Sequence, residues 1–272
     1  MAEAQISWLQ KLEEQLDVDV DWMDPEYIKS LPIKPHDQTS NQIFVDVQMS
    51  HESNRELLVQ IANELKDEGW LAIYTRMACL MCKKNIDHIS GRVLLQTSPS
   101  EAYNKEKTLE HARLYDAEFA RVGITRDRYC IKIPSTGPGL CAAEALSTEG
   151  IPTLGTALFG LPQAVAASQA GCMYISPYFN GEVAAKPTHV YKSPNPTAER
   201  IQKLARTDPL SPDGWNDVMA DTSIDYLAHN GAALDDAIAA DAVATQRLKD
   251  ALDVFVKAEQ RSKARIEEAL KQ

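Results

Sequence analysis

A chain of 272 residues, 44% hydrophobic and 25% charged, has the composition of an ordinary soluble globular protein, long enough for one large α/β domain or two small ones. Its net charge of -11 argues against nucleic acid and anionic membrane as partners. No apolar run reaches the ~18 residues needed to cross a bilayer, and Met1-Ala-Glu-Ala-Gln lacks the basic start and apolar centre of a secretory signal, so the expected compartment is the cytoplasm.

In chain order, an acidic cluster from Asp17 to Asp24 comes first, then a turn-like Asp37-Gln-Thr-Ser-Asn. Leu57 to Leu65 has helical periodicity, and Gly69 introduces a strand-like Trp70-Leu-Ala-Ile-Tyr-Thr. Gly91-Arg-Val-Leu-Leu-Gln reads as a strand, and Glu101 to Val122 as a long helix ending at Gly123. Tyr129 to Pro134 is a strand, Gly139 to Thr148 an alanine-rich helix, and Ile151 to Phe159 a strand. A helix from Pro162 to Ala170 and a strand from Met173 to Ser176 follow. Lys186 to Trp215, rich in Pro, Ser and Thr, reads as loops with short helical pieces, and a second acidic cluster runs from Asp235 to Asp241.

From about 238 to 270 the chain suits a long amphipathic helix without Pro or Gly. Val243, Leu248, Leu252 and Phe255 fall close to one stripe. That stripe is expected to pack on the chain's own domain, a second subunit in a homodimer being the alternative.

Repeated strand–helix units imply parallel strands joined by right-handed crossovers. An open doubly wound sheet and an eight-stranded barrel both satisfy this. No Gly-x-Gly-x-x-Gly follows an early strand, which removes the best support for a dinucleotide-binding open sheet. Gln96, Lys132, Thr156 and Ser176 fall at or near C-terminal strand ends, where barrel enzymes place their chemistry. The expected fold is therefore α/β, a (β/α)8 TIM-type barrel in a single domain over 1–272 with a long C-terminal helix. Its last two units are abbreviated if the region after Tyr178 is as short as it looks.

Five cysteines without a signal peptide argue for reduced thiols. Cys79 and Cys82 form a lone Cys-x-x-Cys, but a zinc site needs two more ligands and His88 completes no recognised spacing. No metal is expected. A redox pair fits the spacing, and helical core cysteines explain it equally well.

Lys132 lies in Cys130-Ile-Lys-Ile-Pro-Ser-Thr, a short apolar run closed by Pro-Ser-Thr. Desolvation disfavours an ammonium and can lower a lysine pKa by several units. A neutral amine at a buried strand end is what imine chemistry with a ketone requires. The bland alternative is a strand-end lysine whose head reaches water.

The ordered motifs Ile131-Lys-Ile-Pro-Ser-Thr, Ala142-Ala-Glu-Ala-Leu, Glu149-Gly-Ile-Pro-Thr, Gln163-Ala, Ala170-Gly and Ile175-Ser-Pro resemble the transaldolase family. Val18-Asp-Val-Asp and Asp37-Gln-Thr-Ser-Asn resemble that family's first two strand ends, and the likeness covers most of residues 10 to 180. It implies a (β/α)8 barrel, an imine between a lysine and a keto sugar, and transfer of a dihydroxyacetone unit to an aldehyde, within carbohydrate and pentose phosphate metabolism. By position, Lys132 is the imine lysine and Asp21 the carboxylate that takes the sugar hydroxyl proton. Thr39, Asn41 and Ser176 are the donor contacts, and Thr156 positions the catalytic water. No cofactor is implied, because a protonated imine is its own electron sink. The implied partner is a small carbonyl or sugar substrate.

Three departures refine the expectation. Gln96 stands where the family usually carries glutamate, and an amide can orient a water but cannot act as a general base. Tyr178 stands where phenylalanine is usual, and its phenol can donate and accept a proton. The related fructose 6-phosphate aldolases pair Gln with Tyr in this way, cleaving or forming the bond without holding the three-carbon unit for transfer. The phosphate-gripping arginines are missing after Tyr178, where Phe179-Asn-Gly-Glu follows and the next candidates are Arg200 and Arg206. An aldolase-type or biosynthetic enzyme acting on a phosphate-free carbonyl is therefore the alternative within the class. A non-catalytic binding relative is the alternative outside it.

Overall fold

The computed structural model describes residues 6–178 and 222–272. Five parallel strands run in the order β1-β2-β3-β4-β5: β1 (Gln38–Thr39), β2 (Val93–Gln96), β3 (Tyr129–Pro134), β4 (Thr153–Leu158) and β5 (Tyr174–Pro177). Val20 adds a parallel bridge to Gln38 outside β1. Every residue of β2, β3 and β4 is buried, as expected of parallel strands covered on both faces. The sheet curls until its edges face one another: the Asp21 carboxylate, ahead of β1, acts electrostatically on Tyr178, just past β5. This is an α/β arrangement of the TIM-barrel type, with five strands and one bridged segment among the described residues. Whether the segment from Asn180 onward completes the last units lies outside them, as do Arg200, Arg206 and the loop segment from Lys186 to Trp215.

The outer helices are α1 (Trp8–Glu13), α2 (Pro25–Ser30), α3 (Gln42–Ser50), α4 (Arg55–Glu64), α5 (Trp70–Asn85), α6 (Lys105–Arg121), α7 (Gly137–Thr148), α8 (Leu161–Gln169), α9 (Ala228–Ala240) and α10 (Ala242–Ala269). Gly123, Gly150 and Gly171, which follow α6, α7 and α8, have the left-handed φ of helix-ending glycines. The strand expected at Trp70–Thr75 is instead the start of α5. The segment continues to Asn85 without Gly or Pro, and Ala72 to Cys79 are buried on every side of the helix. A helix sandwiched in this way loses the one-sided pattern that distinguishes it from a buried strand. One link on its buried surface is the Arg76–Glu118 pair to α6, with Nη2 to Oε1 at 2.7 Å.

The C-terminal stripe forms with Leu248, Leu252 and Phe255 buried as expected and Val243 outside it. Ala244, Leu248, Leu252, Phe255, Glu259, Ser262 and Ile266 are buried at steps of three and four, whereas Val243 is 58% exposed in the first turn of α10. The buried face lies on α3, α4 and α5 of the same chain. Asp241 caps the helix through Val243 N and Ala244 N, so part of the second acidic cluster is capping chemistry. Cys79 and Cys82 are fully buried core residues of α5, and burial pushes both thiols up, which opposes a redox role. No helix among the described residues is long and apolar enough to cross a membrane.

Candidate functional site

Strand pleating sorts the barrel interior into levels. Leu94 of β2, Cys130 of β3 and Leu154 of β4 pack with Tyr174 of β5 as a small apolar cluster separate from the main core. Two residues further along each strand, on the same face, stand Gln96, Lys132, Thr156 and Ser176. The apolar cluster closes the barrel from below, and the polar residues occupy its C-terminal mouth.

Lys132 is 4% exposed, and its Nζ donates to Thr39 Oγ1 at 2.8 Å. Burial lowers the amine from the ordinary lysine value to about 8, against a smaller opposing pull from Asp21 and Cys130. A head that reaches water is thereby ruled out. Asp21 is exposed at the mouth. Partial burial of its carboxyl raises it, and Lys132 pulls it back down. Of the acidic run from Asp17 to Asp24, Asp21 is thus the member that faces the amine.

Gln96 is the ladder partner of Lys132 and is 1% exposed, and neither its Nε2 nor its Oε1 has a hydrogen-bond partner among the described residues. A buried amide left open on both atoms is costly unless something else binds it. On the other side of the lysine strand, Thr156 Oγ1 and Tyr178 OH lie 3.1 Å apart, and burial raises the phenol. Phe159 packs edge-on against the Tyr178 ring at 5.2 Å. Ser176 is half-buried between Tyr174 and Tyr178 on the inward face.

Asn41 has a second duty. It is the N-cap of α3, its Oδ1 accepting from Ile43 N at 2.9 Å, so the cap uses the amide oxygen and not the NH2. The turn-like segment around it is therefore a helix start. The arrangement as a whole offers a neutral-capable amine, a carboxylate opposite it, a phenol–hydroxyl pair and an open amide around one mouth. That set can form an imine, move a proton to and from a hydroxyl, and orient water.

Two groups of functional consequence escaped the sequence reading. Gln42 is fully buried and donates through Nε2 to Gln96 O and Thr97 O, both at 2.9 Å. It holds the end of β2 beside the lysine strand, where Thr97 N in turn donates to Lys132 O at 3.0 Å. Fully buried His111 accepts from Ser98 N through Nδ1 at 2.9 Å, and burial holds its imidazole neutral with a pKa of about 3. For Gln42 the legible signal was a polar side chain opening an otherwise apolar helix start. At the opposite rim, Asp19, His36 and Asp37 bring ligand atoms within 4.8 Å of one another. Their oxygens already accept from Asp37 N and Arg92 N, at 2.9 and 2.6 Å, which accounts for the cluster without a cation.

Comparison with known proteins follows the same residues. The chain is 36% identical over 154 residues to a transaldolase of Nostoc punctiforme, covering 53% of this chain and 46% of that protein. It is 33% identical over 153 residues to a transaldolase of Synechocystis sp., covering 53% and 39%. With a transaldolase of Trichormus variabilis the identity is 33% over 179 residues, covering 62% and 53%. The chain thus spans about half the length of the curated relatives it matches. Residues 18–181, more than half of the chain and including all eight site positions, match the family described as Transaldolase/Fructose-6-phosphate aldolase. The chain belongs to the transaldolase/fructose-6-phosphate aldolase family.

Proposed function

We propose that this chain is an imine-forming carbonyl enzyme that moves or releases the dihydroxyacetone unit of a keto sugar or its phosphate. The observation that carries the reading is the buried Lys132 amine, held at about 8 and facing Asp21. At neutral pH about a tenth of it is uncharged, enough to attack a carbonyl carbon. Nζ adds to the C2 carbonyl, and loss of water leaves a protonated imine. Asp21 takes the proton of the C4 hydroxyl as the C3–C4 bond breaks. The bonding pair passes into the imine to give an enamine, and an aldehyde departs.

The enamine then has two fates. It attacks an acceptor aldehyde, with Asp21 returning its proton to the new hydroxyl, or Tyr178 protonates its carbon. In either case Gln96 and Thr156 hold the water that adds to the imine, releasing ketone and free lysine. Thr39, Asn41 and Ser176 orient the donor. The Tyr178–Thr156 contact and the open Gln96 amide favour the second fate, simple aldol cleavage, over transfer.

Borohydride reduction in the presence of dihydroxyacetone or fructose 6-phosphate tests the reading. A stable mass increase on Lys132, lost in Lys132→Ala, is the expected result. A folded but unmodified protein would instead support a non-catalytic binding role. Product analysis with and without an acceptor aldehyde separates transfer from cleavage.

A further inference from the structure

The pairing of β4 with β5 slips by one residue: Gly155 faces Ile175, but Leu158 faces Pro177. The extra residue is accommodated at Ala157, which is fully buried at φ 51, in the left-handed region. A side chain with a Cβ is strained there and persists only where its surroundings hold it. Bulges of this kind re-aim neighbouring side chains. Here the two neighbours hold Tyr178 at both ends: Thr156 pairs with its hydroxyl at 3.1 Å, and Leu158 O accepts from its backbone N–H at 3.0 Å.

Among the described residues one side chain holds the Ala157 carbonyl, while the Ala157 backbone N–H acts on the Tyr178 hydroxyl. Gln163, in the first turn of α8 and 1% exposed, donates through Nε2 to Ala157 O at 3.1 Å and to Ser135 O at 2.9 Å. Its Oε1 accepts from Phe159 N at 2.8 Å and Gly160 N at 3.0 Å. Both donors and both lone pairs are used, all on backbone groups at the ends of β3 and β4. The amide therefore ties the lysine strand to the bulged strand and receives the carbonyl that the bulge turns out of the ladder.

We propose that Gln163 is a positioning residue for proton transfer: it fixes the left-handed Ala157 and so sets the Thr156–Tyr178 pair, while touching no reacting atom itself. This rests on the imine reading above. The consequence is a split between two steps. Imine formation at Lys132 depends little on Gln163, whereas proton exchange at the carbon next to the imine depends on it strongly.

Dihydroxyacetone serves as the probe for both steps on the full chain, through borohydride-trapped adduct on Lys132 and through proton–deuterium exchange in D2O followed by NMR. Gln163→Leu removes all four bonds. Gln163→Glu keeps the two acceptor bonds and loses the donors when ionised. Trapping is expected within about twofold of wild type in both variants, with exchange reduced about tenfold or more. In Gln163→Glu the exchange rate, relative to wild type at the same pH, recovers as the pH falls, because a protonated carboxyl regains one donor. Ala157→Gly in the Gln163→Leu background also recovers exchange, because glycine holds a positive φ unaided. If Gln163→Leu does not fold, Gln163→Glu decides alone. Exchange that stays at the wild-type rate overturns the proposal. So does exchange that falls only in step with trapping and folded protein, without recovery by glycine or acid. A wild type that is never trapped sinks the imine reading and this role with it; a trapped wild type with indifferent Gln163 variants sinks this role alone.

Discussion

Asp21 and Lys132 pull on each other's protons across the barrel mouth: the carboxylate raises the amine, and the amine lowers the carboxyl. Burial opposes charge on both, so each carries its charge partly on account of the other.

A rate limit follows. The rate of imine trapping at Lys132 is expected to rise with pH through a limb near 8, where the amine loses its proton. Asp21→Asn removes the charge that holds the proton on, so the limb moves to lower pH. Trapping rates across pH 5 to 10 check this; a limb that stays in place in the variant means the carboxylate does not act on the amine.

The lysine is costly to keep. Its folded pKa lies below its unfolded value, so the unfolded chain binds more protons between about 8 and the ordinary lysine range, and stability rises with pH across that window. Below it the full penalty of a buried ammonium applies, on the order of 3 kcal/mol. Lys132→Met is therefore expected to stabilise the fold at pH 7 by up to that amount while abolishing trapping. The gain shrinks to little above pH 10.5, where both states are neutral. Denaturation at the two pH values tests it, and an equal gain at both would show that charge is not the cause.

In the proposed mechanism the fate of the enamine turns on Tyr178. Removing the phenol in Tyr178→Phe takes away the proton donor for carbon and leaves Thr156 without its 3.1 Å partner. The three-carbon unit then waits for an aldehyde. The ratio of transfer to cleavage is expected to rise about 100-fold or more when an acceptor is present, since one positioned acid–base group typically contributes about 10²–10⁴-fold. An unchanged ratio would assign the protonation to another residue.

How far the sequence carried depended on whether local pattern and tertiary setting agreed. Tyr129–Pro134 was readable to the residue because an apolar run bounded by Arg128 and Pro134-Ser135 has one natural strand length. The helix ends at Gly123, Gly150 and Gly171 were readable because few other residues take their backbone conformation at so little cost. Trp70–Thr75 was misread because a helix buried on all sides shows no periodicity. Val243 was misplaced because the fifth residue back from Leu248 lies well off the stripe that packs. Within the site, Lys132 announced itself as a charge in an apolar strand. Gln42 and Gln163 did not, since their work is done on backbone atoms of strands far away in sequence.

The C-terminal helix is held to the mouth by charge as well as by its apolar stripe. Asp46 of α3 is 5% exposed on its side chain and accepts from Arg261 Nε at 2.7 Å and Arg265 Nε at 3.1 Å, two residues one turn apart on α10. Both arginines are partly solvated, so losing either leaves Asp46 one partner and is expected to cost about 1 kcal/mol. Losing both strands a buried carboxylate, and the double variant is expected to cost on the order of 3 kcal/mol, more than the sum of the singles. A double-mutant cycle by chemical denaturation measures the excess; additive losses would mean that water replaces the arginines. Because α3 is capped by Asn41, two residues after Thr39 at the end of β1, loosening α10 is expected to weaken donor binding before it unfolds the chain. A rise in the dihydroxyacetone concentration needed for half-maximal trapping, at unchanged maximal trapping, is the signature that would separate this from simple loss of folded protein.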